Sequence, residues 1–176
     1  MRYSFILLLC IGLIYLAGSC QTGREQKDTQ NYLRQVGDIT SDLTLDTPDF
    51  KTCNGEEYAF QYFNTGEGFR YQGEKTALVS HILNTYKPIS STTDHSGYIR
   101  IRFIVNCKGE AGRFRIISSN FDYQEKVFDK AITNQLLRIL KELDGWKIMT
   151  KNEKPLDYYL YLIFKLDNGH ITEILP

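Results

Sequence analysis

The stretch Gly97-Tyr98-Ile99-Arg100-Ile101-Arg102-Phe103-Ile104-Val105 decides the fold class. Ile99, Ile101, Phe103 and Val105 fall on one side of an extended backbone, and Tyr98, Arg100, Arg102 and Ile104 on the other, because successive side chains in a strand point to opposite faces. Such alternation predicts a half-buried strand. Asn106-Cys107-Lys108-Gly109 then supplies turn residues, and Arg113-Phe114-Arg115-Ile116-Ile117 resumes the alternation. The two runs predict a hairpin.

Downstream, Val127-Phe128, Ala131-Ile132, Leu136, Ile139-Leu140 and Leu143 recur at helical spacing. Asn120 or Asp122 is the expected cap of this helix, Asp144-Gly145 its end, and Trp146 a core anchor. After Lys154-Pro155, Tyr158 to Leu166 reads as a long strand. Asp167-Asn168-Gly169-His170 is a hairpin signal, and Ile171 to Leu175 a strand returning from it. Upstream, Tyr58 to Phe63 reads as an aromatic strand. Glu74 to Tyr86 carries Leu78, Ile82 and Tyr86 at helical spacing and ends before Pro88. His81 beside that stripe reads as a packing or capping residue. The order α-β-β-α-β-β predicts an α+β domain with a small antiparallel sheet packed on two helices.

The N-terminus follows a different logic. Met1-Arg2 is a short positive start, Tyr3 to Leu16 is almost wholly apolar, and Ala17-Gly18-Ser19-Cys20 supplies small residues before a polar run. These features predict a secretory signal over residues 1–19. The apolar run is shorter than the roughly 20 residues that span a bilayer. Small residues ending at a cysteine resemble a bacterial lipobox, which implies lipid attachment at Cys20. Conventional cleavage after Ala17-Gly18-Ser19 would cut the same bond. Residues 20–49 read as a polar tether, 50–68 as an extension with one short strand, and 69–176 as the main domain.

Composition narrows the function. Lys plus Arg equal Asp plus Glu at 21 each, so the chain lacks the basic excess of a dedicated nucleic-acid binder. With 42% hydrophobic and 13% aromatic residues it can build a packed core. The sequence holds no Gly-x-Ser-x-Gly elbow, phosphate loop, His-Glu-x-x-His or Cys-x-x-Cys, so neither an enzyme nor a cofactor is expected. Asp157 and Glu173 are a carboxylate pair only by nearness to the last strands. Cys53, Cys107 and the scattered His81, His95 and His170 show no metal-ligand spacing, so no metal is expected. An oxidising compartment permits a Cys53–Cys107 disulfide tying the aromatic strand to the hairpin turn. The sequence leaves open whether the two are bonded.

Several motifs in order resemble one family. Gly73-Glu74 with Leu78 and Tyr86-Lys87-Pro88, then Gly97-x-Ile99-x-Ile101-x-Phe103-x-Val105-Asn106-x-Lys108-Gly109, then Trp146, Lys154-Pro155 and Leu162-x-Phe164 are similar to the C-terminal domain of TonB-type energy transducers. The resemblance covers roughly Phe69 to Leu166. It implies a periplasmic binding module that grips an extended segment of an outer-membrane transporter by strand addition. The edge strand it implies is Tyr158-Tyr159-Leu160-Tyr161-Leu162-Ile163-Phe164. The chain departs from a full transducer in having a cleavable N-terminus and only four prolines, too few for a proline-rich spacer. The expectation is therefore a non-enzymatic, lipid-anchored envelope protein, periplasm-facing or at the outer membrane, that binds an outer-membrane transporter or another envelope protein. One alternative is a true transducer that retains residues 3–16 as its anchor; another is a structural domain sharing the fold only. Ile171 to Leu175, folding back, would close the edge strand. Arg100, Arg102, Arg113 and Arg115, with Tyr159 and Tyr161, share one sheet face by parity. That face is either a docking surface for an anionic partner or an ordinary solvated surface.

Overall fold

The computed structural model describes residues 39–55, 58–62, 69–89 and 94–175; the expected signal segment and Cys20 lie outside the described residues. In chain order the elements are β1 (Ala59–Gln61), α1 (Glu74–Thr85), β2 (Gly97–Val105), β3 (Ala111–Ser119), α2 (Lys130–Lys141), β4 (Met149–Lys151), β5 (Lys154–Asp167) and β6 (His170–Leu175). The six strands form one sheet with the path β1-β5-β2-β3, and β4 and β6 also pair with β5. The architecture is mixed α+β. None of the described helices is long and apolar enough to cross a membrane.

Both helices cover the face carrying Ile99, Ile101, Phe103 and Val105, each fully buried. α1 contributes Leu78 and Ile82, one turn apart on the same stripe, and Tyr86 follows at its end. α2 contributes Ile132, Leu136, Ile139 and Leu140. Its cap is Asp129, whose carboxylate accepts the Ala131 N–H at 2.7 Å, rather than Asn120 or Asp122. Asn120 instead builds a separate turn before the helix, so Val127 lies outside α2 and is 87% exposed. Trp146 is buried, with its ring 5.0 Å from those of Phe103 and Tyr71. β4 escapes a periodicity reading because three residues cannot display a period. It is made by pairing with the first residues of β5.

The opposite face corrects the tether expectation. Residues 39–49 lie within the expected tether and Phe50 opens the expected extension, yet Ile39 is buried with Ile104 and Tyr159, and Phe50 and Ala59 pack against them. Ile104 and Tyr159 therefore belong to a second, smaller core. The hairpin adapts to this cover through a bulge. Arg102 pairs with Arg115 but Ile104 pairs with Gly112, which leaves one extra residue on β3, and Arg113 takes a left-handed φ of 55° there. The Phe50 ring lies directly over Gly112, where an added Cβ would collide with it. Gly112→Ala should cost about 1–3 kcal/mol through overpacking. In a Phe50→Ala background the same change should cost much less, and a double-mutant cycle by urea denaturation measures the difference.

Candidate binding face

β5 is an interior strand. On one side it runs antiparallel to β2, from Gly97 opposite Leu166 to Val105 opposite Tyr158. On its other side lie two more of the chain's own strands. β1 runs parallel to Asp157 through Tyr159 and β6 covers Ile163 to Asp167, while β4 pairs with Lys154 to Leu156 at the start of the strand. The segment from Tyr158 to Phe164, expected as a partner-binding edge, is therefore largely occupied. Among the described residues, only Leu160, Tyr161 and Leu162 have no strand on that side.

This closure is integral to the fold. Ile174 of β6 is buried in the main core. The turn before β6 is held by the Tyr86 hydroxyl donating to the Gly169 carbonyl at 2.8 Å, the Gly169 N–H donating to the His95 carbonyl at 3.2 Å, and the Asn168 N–H donating to Ser96 Oγ at 3.0 Å. Burial pushes the Tyr86 phenol up to about 12.

At the other end, Cys53 and Cys107 are joined by a disulfide with Cα atoms 5.9 Å apart. Asp157, fully buried, sits beneath it. One carboxylate oxygen accepts the N–H groups of Cys53 and Asn54, both at 2.9 Å, and the Asn54 side-chain amide at 3.3 Å. The other oxygen accepts the Cys107 N–H at 2.9 Å. A single β5 side chain thus fastens both the N-terminal segment and the hairpin turn. The two sulfurs and the carboxylate lie within 4.8 Å of one another. The sulfurs are bonded to each other and so are not thiolate ligands. Asp157 and Glu173 do not form a pair: Asp157 holds backbone donors, whereas Glu173 is exposed and lies opposite Lys165 in the β5–β6 register.

The four arginines separate. Arg102 and Arg113 are buried, and an Arg113 guanidinium nitrogen donates to the Ile39 carbonyl at 3.5 Å. Arg115 grips Asp46 through two parallel bonds of 2.6 and 2.9 Å and donates to the Thr40 carbonyl at 2.8 Å. The Asp46 side chain is only 7% exposed. Hydrogen bonding from Arg115 holds its carboxyl below the usual carboxylate range. Asp46 was not legible as a site residue, because its stretch is polar and aperiodic. Ile39 and Phe50 on either side of it were the available signal.

Arg100 alone of the four belongs to the half of this face that, among the described residues, stays uncovered. Its guanidinium lies 4.0 Å from the centroid of the Tyr161 ring, which meets Tyr62 edge-on at 5.9 Å. Burial draws the Arg100 pKa below its ordinary value, and the Tyr161 and Tyr62 hydroxyls act in the opposite direction. One pleat further, Tyr98 stacks on Tyr123 at 5.6 Å and meets Phe121 edge-on at 5.4 Å. The Lys165 ammonium lies 6.0 Å from the Phe121 ring. Tyr123 is 75% and Phe121 44% exposed. A separate groove of about 410 Å³ lies between β1 and the β4–β5 turn, lined by Tyr58, Phe60, Lys151, Lys154 and Leu156 among others.

No known protein family, curated protein or solved structure matches this chain.

Two measurements check the clamps. Reducing the disulfide should destabilise the fold by about 4 kcal/mol in the chain-entropy picture, read as a fall in urea midpoint. The Asp46–Arg115 pair has the opposite pH sense to a histidine switch. Its stabilisation is complete above the usual carboxylate pKa of 3.8 and is lost as pH falls below that value. Between about pH 6 and about pH 3, Asp46→Asn should therefore lose less stability than the parent protein.

Proposed function

We propose that this chain is a non-enzymatic envelope lipoprotein, anchored through Cys20, whose C-terminal domain is TonB-like. It acts as a binding or accessory module at the outer membrane, for a transporter or another envelope protein. Contact is made through the uncovered half of the second sheet face rather than by strand addition to β5. The observation that carries this reading is the pairing of β1 and β6 along β5 while, among the described residues, an aromatic and cationic half-face stays open. Among the described residues, an extended peptide seeking that edge meets only Leu160 to Leu162 without a paired strand, too few for a strand of ordinary length. The Cys53–Cys107 disulfide supports export, because such bonds persist in oxidising compartments. The sequence of α1, hairpin, α2 and β5 supports the TonB-like reading, with β1 and β6 as additions that close the edge.

Intact mass of the protein from membranes should show an acylated Cys20 as the first residue, and Cys20→Ser should move it to the soluble fraction. An intact Met1 would overturn the lipoprotein reading. A photo-crosslinking side chain at position 123 should capture a partner in cells, whereas one at Leu83, exposed on α1, should not. Equal capture from both positions would sink the sheet-face assignment.

A further inference from the structure

The groove between β1 and the β4–β5 turn shares no residue with the half-face, and its lining carries charge that the protein leaves unanswered. We propose that this groove binds a small amphipathic organic anion. Lys151 and Lys154 hold its oxyanion group, and its flat apolar body lies against Phe60 and Leu156 beside a rim formed by Tyr58.

The two lysines carry the first argument. They stand directly opposite one another in the β4–β5 ladder, so their side chains share one face of the ribbon. Like charges in that relation oppose the pairing of the strands. The turn between them does not let the register slip. Only Asn152 and Glu153 connect β4 to β5, with left-handed φ values of 52° and 65°. Asparagine takes up that conformation readily, whereas glutamate does so at a cost in free energy. A strained turn thus keeps two ammonium groups on one face. Among the described residues no carboxylate forms an ion pair with either, Glu153 between them included.

The apolar lining selects the rest of the ligand. The Lys151 ammonium lies 5.1 Å from the centroid of the Phe60 ring. Phe60 packs against the main core and Leu156 is buried in it, so this part of the lining is fixed, while Tyr58 keeps 62% of its surface in water. An inorganic anion would answer the two charges and leave the tyrosine ring wet. A neutral apolar molecule would cover the ring and do nothing for the charges. A molecule that joins an apolar body to an oxyanion does both. The groove volume of about 410 Å³ lies within the range of small-molecule sites and exceeds what an inorganic oxyanion fills.

Both walls are in place before any ligand arrives. The N-terminal wall is fastened to the start of β5 by the Cys53–Cys107 disulfide, by the Asp157 carboxylate, and by the Asn54 side-chain amide donating to the Pro155 carbonyl at 3.1 Å. The lysine wall is fixed by its two-residue turn. Little ordering is therefore left to oppose binding.

The test uses the mature chain, residues 20–176, carrying Cys20→Ser so that no detergent is needed, with the disulfide intact. Calorimetric titration with naphthoate should give a dissociation constant below about 1 mM. Naphthamide, which keeps the ring system without the charge, should bind at least about tenfold more weakly. Acetate should give no measurable heat. Naphthyl phosphate should bind as well, and the tighter of the two naphthyl anions identifies the headgroup. Lys154→Glu should weaken naphthoate at least about tenfold while raising the urea midpoint of the free protein, because it turns opposed like charges into an attracting pair. A lysine with a merely structural role would not move binding and stability in opposite directions. Lys141→Gln, at the lysine–aromatic contact over Phe114, should leave naphthoate affinity unchanged. Absence of naphthoate binding at millimolar concentration overturns the site. Equal affinity for naphthoate and naphthamide, unchanged affinity in Lys154→Glu, or an equal loss in Lys141→Gln overturns it too.

Discussion

The backbone of one 14-residue strand must find hydrogen-bond partners on both sides, and the rest of the structure follows from how β5 does so. β2 satisfies one side over nine residues. Among the described residues no single neighbour runs the length of the other side: β1 and β6 take successive parts of it, and β4 pairs with the first residues of the strand. Each of the three is short, and each is held by something besides the ladder. β4 is pinned by buried Met149, β6 by buried Ile174 and the turn at Gly169, and β1 by the disulfide and the Asp157 carboxylate just before it. A fully buried carboxylate is costly unless its oxygens are satisfied, and Asp157 receives four N–H donors. Removing those donors would leave a buried charge unpaired, which is why the N-terminal segment and the hairpin turn are bound so firmly to this strand.

Because its backbone is used internally, the sheet has side chains rather than strand edges to offer along β5. The helix-covered face is closed. The second face divides. One half is roofed by residues 39–50, with Phe50 over Gly112 and Asp46 on Arg115; the other keeps Tyr98, Arg100, Tyr161 and Lys165 half-buried beneath an aromatic turn. An arrangement that fills its own edge and ornaments a face is suited to flat contact surfaces rather than to threading an extended peptide.

Much of the fold was legible, for a definite reason. The hairpin, both helices and β5 are long enough to repeat their period several times, and most of their apolar residues are buried, Leu83 and Ile116 being exceptions. The N-terminal segment was not legible, because Ile39 and Phe50 lie eleven residues apart in a polar stretch and show no period. The N-cap of α2 was misplaced for a related reason. Asn120, Asp122 and Asp129 are all competent caps, and only packing of Phe128 into the core moves the helix start past Val127. Parity placed the arginines on one face correctly but not their surroundings. The bulge at Arg113 and the roof over Arg115 depend on residues more than sixty positions away.

By itself the sequence determined the alternation of β2, the amphipathic stripe of α2, the turn at Asn168-Gly169, and so an α+β domain with one strongly apolar sheet face. These are local properties, written in the spacing of neighbouring side chains. Tertiary structure alone decided which strands flank β5, that Cys53 reaches Cys107, and which half of the second face is left uncovered. Those outcomes depend on how backbone donors and buried charges far apart in the chain are satisfied together. No window of sequence contains both partners.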